Sequence, residues 1–278
     1  MGFFGKLFEK KECSVCGGEI GLLGNRKLED GNLCKNCAAK LSPWFSDRRS
    51  STVAQIEEQL AYREANRAKV AAFHPTRTLG EDTKLILDED QNLFVVTDAR
   101  NLAEDNPDVI PCSDVTGCEL DIDESRSEIM REDKDGKRVS YNPPRYEYRY
   151  NFYIDITVNH PYFDNIRFRI NDSTVEMTSG AGRPMGGPRP GGPTGRPGGP
   201  MGRGGMGRFS PENDPEYRRY KQMGEEIRQV LMDERKQARE EASAAAAPKA
   251  AVTCPYCGAT TTPDASGCCE YCGGAVNG

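Results

Sequence analysis

Between residues 146 and 158 every even position is apolar or aromatic: Tyr146, Tyr148, Tyr150, Phe152, Ile154, Ile156 and Val158. The odd positions are mostly polar. Successive side chains of a strand point to opposite faces, so a period of two predicts one long strand with a single buried face. Ile166, Phe168 and Ile170 alternate the same way after the turn signal Asn159-His160-Pro161. Lys84–Asp88 and Leu93–Thr97 flank Glu89-Asp90-Gln91-Asn92, which reads as a hairpin. A second hairpin is predicted where 128–132 and 138–141 flank Asp133-Lys134-Asp135-Gly136. Roughly seven strands on short polar turns make an antiparallel, β-rich domain over 74–240, folded as a small barrel or sandwich.

Two segments carry a helical period instead. Over 51–72, Ser51 or Thr52 can cap a helix in which Val53, Ile56 and Leu60 recur. Its later positions are rich in Ala, Arg, Lys and Glu, which predicts a partly exposed connector. The second helix spans 214–240, with Asp214 as N-cap and Pro215 at the first helical position. Tyr217, Tyr220, Ile227, Val230 and Leu231 lie on one face of it. That stripe needs an apolar partner, and the sheet is the nearest, so the helix is expected to cap the β-domain. Residues 179–209, almost all Gly, Pro, Arg and Met, then form a disordered insertion, and 241–251 an Ala-rich linker.

Cysteine spacing adds chemistry at both ends. Cys13-x2-Cys16 and Cys34-x2-Cys37 form one tetrad within 1–46, and Cys254-x2-Cys257 and Cys269-x2-Cys272 form another within 252–278. Four thiolates paired this way suit a tetrahedral structural Zn²⁺, so two zinc ions are expected. A thioredoxin-like redox reading needs one such pair at a strand-to-helix junction, and two in tandem fit metal better. Cys268 adjoins Cys269 and competes with it as a ligand. Cys16, Cys257 and Cys272 are followed by Gly, which tolerates a positive φ; Cys37 is followed by Ala38.

Four thiolates leave no open coordination position, so catalytic zinc is not expected. Cys112 and Cys118 read as small buried hydrophobes. The two histidines, His74 and His160, each precede proline, and no triad, phosphate loop or paired carboxylates can be found. The chain reads as non-enzymatic.

The net charge of -6 argues against a chain that binds nucleic acid along its whole length. Locally, Arg183, Arg189, Arg196, Arg203 and Arg208 share a stretch without acids, the composition of a loose nucleic-acid-binding arm. No apolar run could span a membrane and no secretory signal is legible, so a cytoplasmic location is expected.

Residues 1–45, with Phe3-Phe4, the four cysteines, Gly21-Leu22-Leu23-Gly24-Asn25 and Leu41-Ser42-Pro43-Trp44, resemble the N-terminal zinc domain of a family of uncharacterised bacterial proteins. His74-Pro75-Thr76-Arg77-Thr78-Leu79-Gly80 and Asp108-Val109-Ile110-Pro111 resemble the β-domain that follows it there. A helix after the last strand is similar to a pleckstrin-homology-like arrangement, and the tail resembles a generic zinc ribbon. The resemblance implies zinc binding and no known activity. The expectation is an α+β, β-rich zinc scaffold or adaptor for a protein partner; the alternative is a nucleic-acid-associated protein that uses the Arg/Gly-rich arm and the N-terminal zinc module.

Overall fold

The computed structural model describes residues 11–21, 23–179, 209–246, 251–263 and 267–276. The expected disordered insertion therefore lies almost wholly outside the described residues, with Arg183, Arg189, Arg196, Arg203 and Arg208 in it. The chain divides into two compact units, Met1–Arg235 and Lys236–Gly278.

The first unit opens with two minimal ladders. β1 (Lys11–Glu12) pairs with β2 (Glu19–Ile20), and β3 (Arg26–Lys27) with β4 (Asn32–Leu33), followed by the one-turn helix α1 (Lys35–Ala38). Such short ladders cannot sustain a fold alone. Ile20, Leu28, Leu33 and Leu41 supply a small core around Cys13 and Cys37, completed by Ile56 from the next helix.

That helix, α2 (Val53–Ala72), starts with a capping box. Thr52 Oγ1 accepts from the Gln55 amide, and Gln55 Oε1 accepts from the Thr52 amide. It is more than a partly exposed connector, because Ile56, Gln59, Arg63, Asn66 and Val70 bury one face along its length. Ile56 belongs to the core of the metal module, while Val70 packs with Phe73, Ile86, Val95 and Val109. Polar groups fill the stretch between. Arg63 Nη1 meets Asp108 Oδ1 at 2.7 Å, and Ser42 Oγ donates to Asp108 Oδ2 at 2.7 Å. Asn66 Nδ2 donates to the Pro107 carbonyl at 2.7 Å, its Oδ1 accepts from the Val109 amide, and Asn106 Nδ2 donates back to the Arg63 carbonyl. Metal module, helix and β-domain are joined through buried, hydrogen-bonded groups.

β5 (Arg77–Gly80), β6 (Lys84–Asp88), β7 (Leu93–Thr97) and, beyond the short helix α3 (Leu102–Asp105), β8 (Ile110–Pro111) form an antiparallel sheet in chain order. Ile86 and Val95 face the α2 cluster, and alternation puts Leu85, Leu87, Phe94 and Val96, also buried, on the opposite face. Cover on both faces explains why these two strands read as continuous apolar runs.

The second sheet is built on two long strands. β9 (Val115–Glu132) and β10 (Arg138–Val158) pair from Val115↔Val158 to Glu132↔Arg138, turning at the predicted Asp133–Gly136 signal. Two short strands lie end to end along the other edge of β10. β11 (Asn165–Arg169) pairs with residues 153–157 and β12 (Val175–Thr178) with 147–150. Asn171 patches the break between them: its Oδ1 accepts from the Phe152 amide at 2.8 Å, and its Nδ2 donates to the Ser173 carbonyl at 2.6 Å.

A closed barrel is not formed among the described residues. β8 pairs only with β7 and β9 only with β10, so the two four-stranded sheets remain separate. The cause lies at the crossover and beyond it. A 3-10 turn over Cys112–Asp114 redirects the chain between β8 and β9, and from residue 123 the β9–β10 ribbon is mostly exposed.

α4 (Pro215–Ala246) follows. Asp214 Oδ1 accepts from the Glu216 and Tyr217 amides, the N-cap expected there. Tyr217 meets Tyr150 edge-on at 5.0 Å, Tyr220 tilts over Phe152 at 5.8 Å, and Ile227 and Leu231 are fully buried. The cover predicted for the sheet is thus present. Gly224 lets the helix approach: a Cβ there would stand 2.5 Å from Leu120 Cδ1. The helix runs to Ala246, into the stretch read as a linker, as alanine favours.

The second unit contains the end of α4 and the hairpin of β13 (Val252–Thr253) with β14 (Thr260–Thr261). Its small core is Cys254, Cys269 and Val276, with Val252 packed against them.

Candidate metal centres

Three of the four knuckles share one backbone turn. The Cys13 amide donates to the Gly18 carbonyl at 2.9 Å, and the Gly17 amide donates back to the Cys13 carbonyl at 2.8 Å. The Cys254 amide pairs with Ala259 and the Gly258 amide returns to Cys254; Cys269, Gly274 and Gly273 repeat the pattern. In each, the glycine after the second cysteine sits at positive φ: +69° for Gly17, +73° for Gly258, +71° for Gly273. The fourth knuckle is different. Cys34 is the N-cap of α1, Cys37 lies inside it, and the Ala38 amide donates to the Cys34 carbonyl at 3.0 Å. A helical residue needs no positive φ, which is why alanine serves at position 38.

The turns bring the predicted sulfurs together. Cys13, Cys16, Cys34 and Cys37 have their Sγ atoms within 4.8 Å of one another, and so do Cys254, Cys257, Cys269 and Cys272. Four sulfurs about 2.3 Å from a central Zn²⁺ stand about 3.8 Å apart along each tetrahedral edge. Cys16 and Cys34 are 3.7 Å apart, Cys254 and Cys272 3.6 Å, and Cys257 and Cys269 3.7 Å. Each donor set therefore fits zinc in both chemistry and spacing. With zinc bound, these eight thiolates would fill its coordination and stabilise modules that have little apolar core.

Backbone amides prepare the sulfurs for negative charge. Burial works against the Cys13 thiolate, but the Cys16, Cys34 and Val15 amides outweigh it and hold the thiol at about 6. Cys269 is held at about 7, where the Tyr271 and Cys272 amides overcome burial. Cys37 is pushed up, first by burial and then by neighbouring thiols. Deprotonation is thus uneven within a tetrad, as expected where four thiols crowd one point.

Cys268 stands outside the second cluster and bridges through its backbone to Ala275. Cys112 and Cys118 are buried, and burial raises both thiols to about 12. His74 is exposed near Asp90, and its amide donates to Asp88 Oδ2. His160 lies 2.8 Å from Tyr62 Oη through Nε2 and stacks on Phe163 at 3.9 Å, with burial lowering its pKa. Neither histidine joins a cysteine cluster.

Sequence reading passed over two features. Tyr256 and Tyr271 occupy matching places just before the second cysteine of their knuckles, and each is 73% exposed. The repeat Cys-x-Tyr-Cys-Gly carried that signal in plain sight. Arg26, Lys27, Arg48 and Arg49 converge on a groove of about 720 Å³. Only the fold brings these two basic pairs together.

The structure thus defines a β-rich protein with two four-cysteine clusters of zinc-binding geometry. Residues 11–59 match a family described as Domain of unknown function (DUF4428). The match ends inside α2, just past Ile56, which completes the core of that module. No curated protein and no solved structure matches the chain. Among the described residues, no helix is long and apolar enough to cross a membrane.

Proposed function

We propose that this protein is a non-enzymatic zinc scaffold of bacterial, cytoplasmic type that docks a protein partner. In this reading the two sheets and α4 form a pleckstrin-homology-like domain, and both metal sites are structural. The carrying observation is the pair of exposed tyrosines in the C-terminal module. Tyrosine offers a large, rigid, amphipathic contact surface and is enriched among residues that dominate protein interfaces. One structural Zn²⁺ shared by the two knuckles would fix both rings with no larger core. Gly274 supports this, since a Cβ there would lie 2.6 Å from the Tyr256 ring.

The test is affinity capture by the zinc-loaded full chain, with and without nuclease, compared with Tyr256→Ser/Tyr271→Ser. A protein retained after nuclease, lost with the double variant and then bound directly as a purified protein is the expected result. Capture that disappears with nuclease, or that ignores both tyrosines, refutes the reading.

A further inference from the structure

The N-terminal metal module carries a feature that neither zinc nor the tyrosine surface explains. β3 contributes Arg26 and Lys27, and the 3-10 turn before α2 contributes Arg48 and Arg49. The four line one groove together with Asn25, Leu28 and Glu29. Among the described residues none of the four cations is ion-paired with a carboxylate. Arg48 Nη1 donates to the Lys27 carbonyl at 2.9 Å, and Arg26 reaches only the Leu23 carbonyl. Nearby acids are engaged elsewhere: Asp30 accepts from the Val53 amide at 2.8 Å, and Asp47 from the Ser46 hydroxyl. Glu29 is the one acid in the lining among the described residues.

Gathering like charges on a small module is unfavourable. Burial, then Arg26 and Arg49, push the Arg48 guanidinium below its ordinary value. Solvent-reachable cations that meet no carboxylate within the module are free to meet an anion from solution. Three of the four are arginines, whose planar forks match phosphate oxygens in a bidentate way.

We propose that the groove of Arg26, Lys27, Arg48 and Arg49 binds the phosphate backbone of a nucleic-acid strand. Among the described residues the lining contains no aromatic side chain on which a base could stack, so contacts fall on the backbone and tolerate any sequence. A membrane surface fits less well: among the described residues of this module, Leu23, 93% exposed, is the one strongly exposed large apolar side chain, too little for stable anchoring. The site stands independently of the tyrosine surface, which belongs to the other unit.

The experiment uses zinc-loaded full-length protein and labelled mixed-sequence RNA and DNA strands, titrated by fluorescence anisotropy across a salt series. Four phosphate contacts give log K against log[salt] a slope near −3, about a 50-fold loss between 50 and 200 mM. Arg26→Ala/Arg49→Ala leaves the Arg48 contact to Lys27 intact and should reduce that slope by roughly 1.4, equally for all sequences. Arg48→Ala extends the series if its zinc content and circular dichroism match the parent. An unchanged slope in the double variant overturns the proposal, even if strands still bind through 180–208. So does absence of binding at low salt, or binding to vesicles of phosphatidylserine and phosphatidylcholine without binding to strands.

Discussion

Ala38 and Gly17 hold equivalent places, one residue past the second cysteine of a knuckle, yet their backbones differ. A side chain forced into the left-handed region costs about 1–2 kcal/mol, so Gly258→Ala should weaken zinc retention by roughly that amount. Ala38→Gly should cost under about 1 kcal/mol, the ordinary helical penalty. Competition with a chromophoric chelator measures both, and equal effects would contradict the two geometries. Cys257→Ser should lower zinc from two ions per chain to one by elemental analysis, whereas Cys268→Ser should leave two. His160 gives a pH signature. Its folded value lies below the ordinary 6.5, so the unfolded chain binds the extra proton first and stability is lost as pH falls through that region. His160→Gln should flatten stability in urea between about pH 7 and pH 5. At this scale the ligand spacing was legible, because Cys-x-x-Cys states its own geometry. The difference at Ala38 was visible as a missing glycine, but its cause required seeing α1.

Among the elements, the strands were the most readable. β6 and β7 coincide with the predicted runs, and Tyr150, Phe152, Ile154, Ile156 and Val158 are all buried, as alternation demanded. Burial fades toward Tyr146, since the ribbon there leaves the core; Tyr148 instead stacks on Phe209 at 4.2 Å. α2 is partly exposed, as expected, but the make-up of its buried face was not legible, for a physical reason. Gln59, Arg63 and Asn66 are residue types that normally face water, and nothing local announces that Asp108, Asn106 and Pro107 await them. Removing one partner of a buried pair typically costs about 3–5 kcal/mol, so Asp108→Ala should sharply lower the urea midpoint. Gln59 points the other way: both its amide atoms are buried without a partner among the described residues. Gln59→Leu should therefore be neutral or stabilising in the same assay, and a large loss would reveal a hidden partner.

At the scale of the molecule, the single tryptophan is a convenient reporter. Trp44 lies beside Ser42, in the first unit, and its amide donates to Ser42 Oγ. Denaturation followed by its fluorescence should show one transition, while zinc release detected by chelator absorbance should show two. Coincident single transitions by both probes would mean that the units unfold together. Two modules around a β-rich centre could be read from composition and spacing. The openness of the sheets could not, because closure depends on which strand edges meet, and alternation is silent on partners.

Ile56 would give a metal held by the N-terminal cluster a reach beyond its own ligands. It is fully buried in the metal-module core while Val70, on the same helix, packs under β6 and β7. By mass action, an ion that binds only the folded state adds RT ln(1 + [L]/Kd), about 2.7 kcal/mol at a hundredfold excess over Kd. Carried through α2, that increment becomes a property of the sheet. The ambient concentration of free zinc would then set the stability of a sheet whose described residues include no cluster of metal ligands.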